Sequence, residues 1–367
     1  MKAELVSSME AVGLVLDESR PRPAWTVDER RQLSPFETSK YTSAIPNKSA
    51  ARILQLTYYD PGSAVYRYHS AFNTNAKLAS AFARWYHQNP HCDLRQFDGE
   101  TELLKIEQLF VLADVIHVHM DYRTLYHAIN RLPEKHQVLV RHYHGSILPG
   151  DPAARPLVDN EKDGHHEAIQ VGARLYHKRF SDRMVWLPIP MPIKDYEIIA
   201  AKEYTPRANR PFLLAHSPTN RAIKGSSAVE DVVRRMQQRG TDINLVSIEG
   251  MTHAKALRAK AGCDATFDSF WLGIQGSGLE AASMGQMVIA GDAEVREEYK
   301  RELGECPYTF AGDAEQLEAV LQKAVDDDSW RKSEAARAGE YVRKWHSYEK
   351  VAKIYAEIIQ RAVKAKR

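Results

Sequence analysis

Cysteine is scarce in this chain, net charge is almost absent, and no long apolar run occurs. The three cysteines, Cys92, Cys263 and Cys306, stand too far apart for a zinc or dithiol spacing. They read as buried free thiols in a reducing compartment. Lysine and arginine number 50 against 48 acidic residues, so the formal charge is only +2. That excludes the strongly basic footprint of a dedicated nucleic-acid binder. No stretch approaches the ~18 apolar residues of a membrane-spanning helix. The amino terminus, MKAELVSSMEAVGLVLDESR, carries acids where a secretory signal needs an apolar core. The expectation is a cytoplasmic soluble protein without an integral membrane segment. Attachment to a membrane surface through the basic tail QRAVKAKR stays open.

What is present is a repeated alternation. A hydrophobic fraction of 44% over 367 residues is enough for two cores of ordinary size. Residues 1–50 are charged and proline-bearing and read as an extension. From residue 51 the strand-like ARILQLTYYD is followed by a turn at Asp60-Pro61-Gly62-Ser63. A long helix is predicted next, with Val65, Phe72, Ala79, Phe82 and Tyr86 on one face. DLRQFDG, DVIHVHM, HQVLVRHYHG and RMVWLPIP read as further strands, with helical patterns between them. PIPMPIKDY (188–196), with three prolines, reads as a linker. Beyond it the strands PFLLAHSP, INLVSIEG, ATFDSF, MVIAG and CPYTFA alternate with helices, and helices fill the remainder. Apolar strands alternating with helices imply parallel sheets covered on both faces. The predicted architecture is α/β with two Rossmann-like βαβ domains facing a central cleft. Residues 51–190 form the first domain, completed by a helix near 346–367, and 191–345 form the second.

Two stretches of the second half carry chemistry. In GIQGSGLEAASMGQMVIAG (273–291), Gly276-Ser277-Gly278 is predicted to turn and Leu279 to Met284 to begin a helix. Unsatisfied amides at a helix start suit a phosphate, and glycines allow close approach. Glu280, in the first helical turn on this reading, can accept hydrogen bonds from the vicinal hydroxyls of a ribose. The competing reading is an acid complementing the helix dipole, worth about 0.3–1 kcal/mol. In HSPTNRAIKGSSAVED (216–231), Arg221 and Lys224 stand three residues apart after a strand. There they can converge on a diphosphate, or be two solvated cations.

Together these stretches resemble the donor-binding half of GT-B fold glycosyltransferases, in particular the retaining family 4 and family 1-like group. DVIHVH and RHYHGS are similar to the first domain of that group, and the likeness spans about 50–360. It implies a hexosyltransferase-like enzyme that moves a sugar from a nucleotide-diphosphate sugar, UDP- or GDP-linked, to an acceptor hydroxyl. Retention of configuration is implied, with no metal and no cofactor. By the likeness, Arg221 and Lys224 hold the diphosphate, Glu280 the ribose, and the amides of Ser277, Gly278 and Leu279 assist, with Ser217, Gly62 and Gly276 lining the donor site. His144 would lie near the sugar, and Asp60 faces the sugar and acceptor; either would be the base of an inverting reaction. The implied acceptor is a saccharide or a lipid-linked one, with a hydroxylated nucleic-acid base as the alternative.

The chain departs from that group at one position. A second acid is common eight residues before the matching glutamate, where this chain has Leu272, with Asp268 four residues earlier. A catalytically silent nucleotide-sugar-binding subunit therefore stays open; the other alternative, a nucleotide-sugar 2-epimerase of the same fold, would need several carboxylates in the cleft, and too few are seen. His117 and His119 alternate on one strand and point the same way, but a third ligand is not evident, so no metal site is expected. His165-His166-Glu167 reads as a solvated loop. Asp326-Asp327-Asp328 reads as a solvated helix end.

Overall fold

The computed structural model describes residues 50–57, 64–84, 109–119, 133–144, 168–180, 184–207 and 210–366. Its strands form two separate sheets, all pairs parallel. The first runs β2-β1-β3-β4-β5-β6. Its members are β1 (Ala51–Thr57), β2 (Leu78–Arg84), β3 (Val115–His119), β4 (Val138–Tyr143), β5 (Ile169–Gly172) and β6 (Val185–Trp186). The second runs β11-β10-β9-β7-β8, from β7 (Phe212–His216), β8 (Ile243–Ser247), β9 (Ala265–Phe267), β10 (Met287–Ala290) and β11 (Thr309–Phe310). Every residue of β3, β9 and β10 is buried, as strands covered on both faces require.

The helices are α1 (Ala64–Phe72), α2 (Ile193–Glu203), α3 (Arg221–Lys224), α4 (Ser226–Gln238), α5 (His253–Ala261) and α6 (Gly276–Ser283). After them come α7 (Ala293–Leu303), α8 (Ala314–Asp326), α9 (Asp328–His346) and α10 (Tyr348–Lys366), and a 3₁₀ turn spans Leu175–Phe180. In each sheet the first strand is flanked by the second on one side and the third on the other. The chain thus reverses its direction of growth at β1/β3 and again at β7/β9. Parallel sheets bind ligands outside the carboxyl ends of the strands at such switch points.

Two segments differ from the sequence reading. The helix predicted to run from Val65 to Tyr86 ends at Phe72, and Leu78–Arg84 is the edge strand β2. Asn73 ends the helix by folding onto the new strand: its Oδ1 accepts from Ser80 N at 2.8 Å and its Nδ2 donates to Ser80 O at 3.1 Å. The sevenfold spacing of Phe72 and Ala79 had carried one face across that break. The proline segment is less of a linker than its composition suggests. Ile189 and Met191 are buried, and α2 starts at Ile193 directly after Pro192.

The chain returns to the first half at its end. Helix α10 lays Tyr355 on Phe72 of α1, with ring centroids 4.0 Å apart and planes within 10°. The two crossings between halves meet, since Met191 and Ser347 form a parallel bridge and Met191 N donates to His346 O at 2.7 Å. Asp327 of the acidic triplet accepts from Trp330 N at 2.8 Å and caps α9, which gives that triplet a structural role.

Candidate active site

At the β7/β9 switch point a lysine and an aspartate form a buried pair. Lys224 Nζ donates to Asp268 Oδ1 at 2.5 Å, and both side chains are almost wholly enclosed. Asn220 starts the one-turn helix α3 by accepting from Ile223 N at 3.0 Å, and Gly225 closes it at φ 71°. Any Cβ at Gly225 would stand 2.5 Å from the Phe270 ring, so both conformation and space demand glycine there. This tight exit turns Lys224 inward beneath the carboxyl edge.

The other oxygen of Asp268 closes the start of α6. Gln275 N and Gly278 N both donate to Asp268 Oδ2, at 2.6 and 3.0 Å. The predicted turn at Gly276-Ser277-Gly278 is therefore the first helical turn itself. The helix begins three residues earlier than the sequence suggested, because an internal carboxylate satisfies its leading amides. The anion that approaches closely at Gly278 is Asp268: a Cβ there would meet its Oδ2 at 2.5 Å. Among the described residues the amides of Gly276 and Ser277 have no partner. Burial pushes the Asp268 carboxyl up, but the Lys224 charge and hydrogen bond, with the Gln275 amide, outweigh it and hold it below its usual range.

Glu280 consequently lies beyond the first turn of α6, and the dipole reading loses its basis. Its carboxylate is buried among three nitrogen donors. Lys260 Nζ reaches Oε2 at 2.8 Å, while His253 Nε2 and Arg67 Nη1 reach Oε1 at 2.9 and 3.4 Å. Lys260 also binds Ser277 Oγ at 2.8 Å, tying α5 to the glycine-rich turn. Burial raises the Glu280 pKa, but the Lys260 charge and the His253 hydrogen bond overcome it and keep the group ionised well below the usual carboxylate range. A carboxylate offers about four acceptor positions, so Oε2 retains one. Arg67 belongs to α1, which makes this contact a bridge between the halves.

Arg221 does not converge with Lys224. It is exposed and held by Glu230 and Glu249, each at 2.6 Å. Ser217 follows β7 directly and is partly buried, and Leu279 lies in the core. Leu272, at the place of the missing acid, is buried and apolar, and Asp268 is committed to Lys224 and α6. Asp60 and Gly62 lie outside the described residues, as do His165, His166 and Glu167.

At the facing edge of the first sheet, His144 follows β4, and Nε2 lies 2.7 Å from His119 Nδ1. His119 Nε2 in turn meets Gln55 Oε1 at 3.1 Å. Beside this pair, His117 Nε2 and His142 Nδ1 are 3.1 Å apart. The third imidazole that DVIHVH did not reveal is thus His142, supplied by the neighbouring strand. His117, His119 and His142 could hold a metal ion, since one ligand nitrogen of each lies within 4.8 Å of the others. Within each close pair one neutral ring donates its N–H to the bare nitrogen of the other. Burial holds all four imidazoles neutral, and His144 is lowered to about 3 by burial first and by His177 and Arg174 after it.

No family model and no curated protein sequence matches the chain. Solved structures do. HepE of Anabaena, solved with UDP and glucose, is 12% identical over 84% of this chain and 99% of its own, with a TM-score of 0.57. Sucrose-phosphate synthase of Thermosynechococcus elongatus is 12% identical over 86% and 100%, at 0.54. An alpha-glucosyltransferase solved with UDP and a 13-mer DNA containing a central A:G mismatch is 10% identical over 84% and 99%, at 0.60. The fold is GT-B. At such identities the likeness speaks for the fold alone.

Within this GT-B frame, three residues that sequence reasoning passed over contact Glu280: Lys260, His253 and Arg67. Lys260 and His253 lie seven residues apart on α5, a same-face spacing that was legible but carried no motif. Arg67 could not be placed, because the helix that bears it was drawn too long. Arg174 lies two residues past the strand end QVG, at the carboxyl edge of the first sheet.

Proposed function

We propose that this chain is a glycosyltransferase that takes a sugar from a nucleotide-diphosphate donor to an acceptor hydroxyl. The observation that carries the reading is the grouping at the β7/β9 switch point. A buried lysine at the end of α3, two open amides at the start of α6 and an ionised, oriented carboxylate one turn further along α6 are grouped there. In the donor site the amides of Gly276 and Ser277 and the Lys224 ammonium face the diphosphate. A ribose hydroxyl takes the remaining acceptor position of Glu280. As the bond from the anomeric carbon to phosphate breaks, its electron pair goes to the leaving diphosphate. Fixed positive charge stabilises that oxygen more in the transition state than in the ground state. The acceptor oxygen forms the new bond to the anomeric carbon, and its proton passes to a donor phosphate oxygen. Lys224 and the amides supply the charge without requiring a metal, and retention follows if proton and leaving group share one face. His144, neutral at physiological pH, is suited to a hydrogen bond with the sugar.

The acceptor is read as a saccharide or lipid-linked hydroxyl. Two of the similar proteins were solved with sugar or DNA beside UDP, so an acceptor in nucleic acid is the alternative. A second reading, a nucleotide-sugar-binding subunit without turnover, draws on Leu272 in place of an acid and on the three donors already seated on Glu280. The deciding experiment follows nucleoside diphosphate release from UDP-, GDP- and ADP-sugars with and without a panel of acceptors. Acceptor-dependent release is expected. Glu280→Gln, which keeps the shape of the side chain, should weaken donor binding by about tenfold, the loss of one charge-assisted bond. Donor binding with no release for any acceptor supports the subunit reading. No binding of any donor removes both.

A further inference from the structure

We propose that Arg174 is the phosphate ligand that the first half contributes across the cleft, holding the donor diphosphate opposite Lys224. The inference rests on the nucleotide-donor reading above and deepens it.

The backbone around Arg174 is fixed. Ala173 N donates to Tyr143 O at 3.0 Å, continuing the β4–β5 ladder one residue past β5. Arg174 O accepts from His177 N at 3.1 Å, and the 3₁₀ turn that follows is anchored on the second half. Lys178 meets Glu302 at 2.6 Å, and Arg179 meets Glu294 and Glu298 at 3.1 and 3.0 Å, all on α7. Arg174 therefore stands at the carboxyl edge of the first sheet, where the chain leans against the second.

Its side chain is 9% exposed, yet the guanidinium has no hydrogen bond or ion pair among the described residues, and Nε is enclosed without an acceptor. The contrast with the other buried cations is complete. Arg67 and Lys260 have Glu280, Lys224 has Asp268, and Arg331 has Asp264. A buried charge without an anion costs several kcal/mol, so proteins keep one where a ligand supplies the missing charge. The field of Arg174 also reaches groups of both halves: after the larger effects of burial and nearer partners, it lowers His144 on one side and Asp268 on the other. No described residue supplies the anion, which leaves that part to a ligand lying between the sheets. A planar guanidinium matches a phosphate through two parallel N–H···O bonds. On the second half the Arg174 field reaches Asp268, the carboxylate that holds Lys224 and the start of α6, so in this proposal Lys224 and the open amides of Gly276 and Ser277 supply the other wall. A diphosphate seated there is gripped from both halves, whereas Arg221 remains outside with Glu230 and Glu249.

The test uses the full chain. Wild type, Arg174→Gln and Arg174→Lys are titrated calorimetrically with UDP, GDP and ADP and with the corresponding nucleosides. Wild type should prefer one diphosphate over its nucleoside. Arg174→Gln should weaken the diphosphate by about tenfold or more and leave the nucleoside unchanged, and Arg174→Lys should recover part of the loss. The ligand-free Tm of Arg174→Gln should equal or exceed that of wild type, because an unpaired buried charge has been removed; a lowered Tm assigns Arg174 a structural role and overturns the proposal. Unchanged diphosphate affinity, or an equal loss for the nucleoside, also overturns it. So does retained diphosphate affinity with lost binding of inorganic phosphate in the presence of saturating nucleotide, which assigns the anion to a phosphorylated acceptor. If wild type binds none of the diphosphates, the donor reading itself falls and takes this inference with it.

Discussion

The two halves share one topology and differ in the polar clusters at the centre of each. The first half encloses imidazoles: His117, His119 and His142 are fully buried beside His144, kept neutral and paired nitrogen to nitrogen beneath Tyr68, Phe72 and Tyr355. The second half encloses full charges, Lys224 with Asp268, Lys260 with Glu280, and Asp264 with Arg210 and Arg331. A neutral array carries a small desolvation cost but collapses when protonated. An ion pair costs more to bury and resists acid until its carboxylate titrates.

The largest break in that comparison should come from acid. Burial lowers the pKa of His117, His119, His142 and His144 in the first half, and of His69 and His346, below the ordinary value of about 6.5, so between the two values only the unfolded chain binds the proton. The stability these groups contribute is whole above about pH 6.5 and falls by about 1.4 kcal/mol per pH unit per group below it. For His144 and His346 the fall continues to about pH 3, and for His69 to about pH 4. Asp268 and Glu280 have lowered pKa values, so their contribution stands until pH drops below the usual carboxylate range. Hydrogen exchange between pH 7 and 4.5 should therefore show β1 and β3 losing protection before β9 and β10. Loss in the reverse order would contradict the account.

A smaller effect should follow from opening one pair. Lys260→Met leaves Glu280 with His253 and Arg67 only, and unfolding in urea should show a loss of about 3 kcal/mol, the low end for a broken buried pair because two donors remain. Adding Glu280→Gln to that variant should recover part of it. A purely additive double variant would mean that Lys260 matters for packing, not charge. The smallest effect is expected at Arg221→Ala, which removes exposed ion pairs with Glu230 and Glu249. Its Tm should match that of wild type, and a clear decrease would reveal a structural part for that surface network.

Most of the second half was legible in the sequence. Each predicted strand there is present, because apolar runs of four or five residues bounded by helices leave few alternatives. The first half was read less well at Leu78–Arg84, where alanines and phenylalanine fit a helix as well as an edge strand, and only the Asn73–Ser80 contacts decide. In the site, Glu280 and Lys224 stood out by motif, but their partners did not. Lys260 and Arg67 reach Glu280 from 20 and 213 positions away, distances over which local pattern carries no information. The helix start was misjudged for a related reason. Asp268 was read as a displaced acid, whereas it is the cap that lets Gly276 join α6.

The seam at Met191 and Ser347 has a mechanical consequence. Both passages of the chain between the halves run through that one parallel bridge, and His346 is held there by Ile189 O at 2.7 Å. Rotation of one half against the other about that seam is opposed at two further places, by Lys178 and Arg179 on α7 and by Arg67 on Glu280, at 3.4 Å the longest of the three contacts on that carboxylate. A nucleotide that competes for Glu280 would loosen the second tie and leave the first in place.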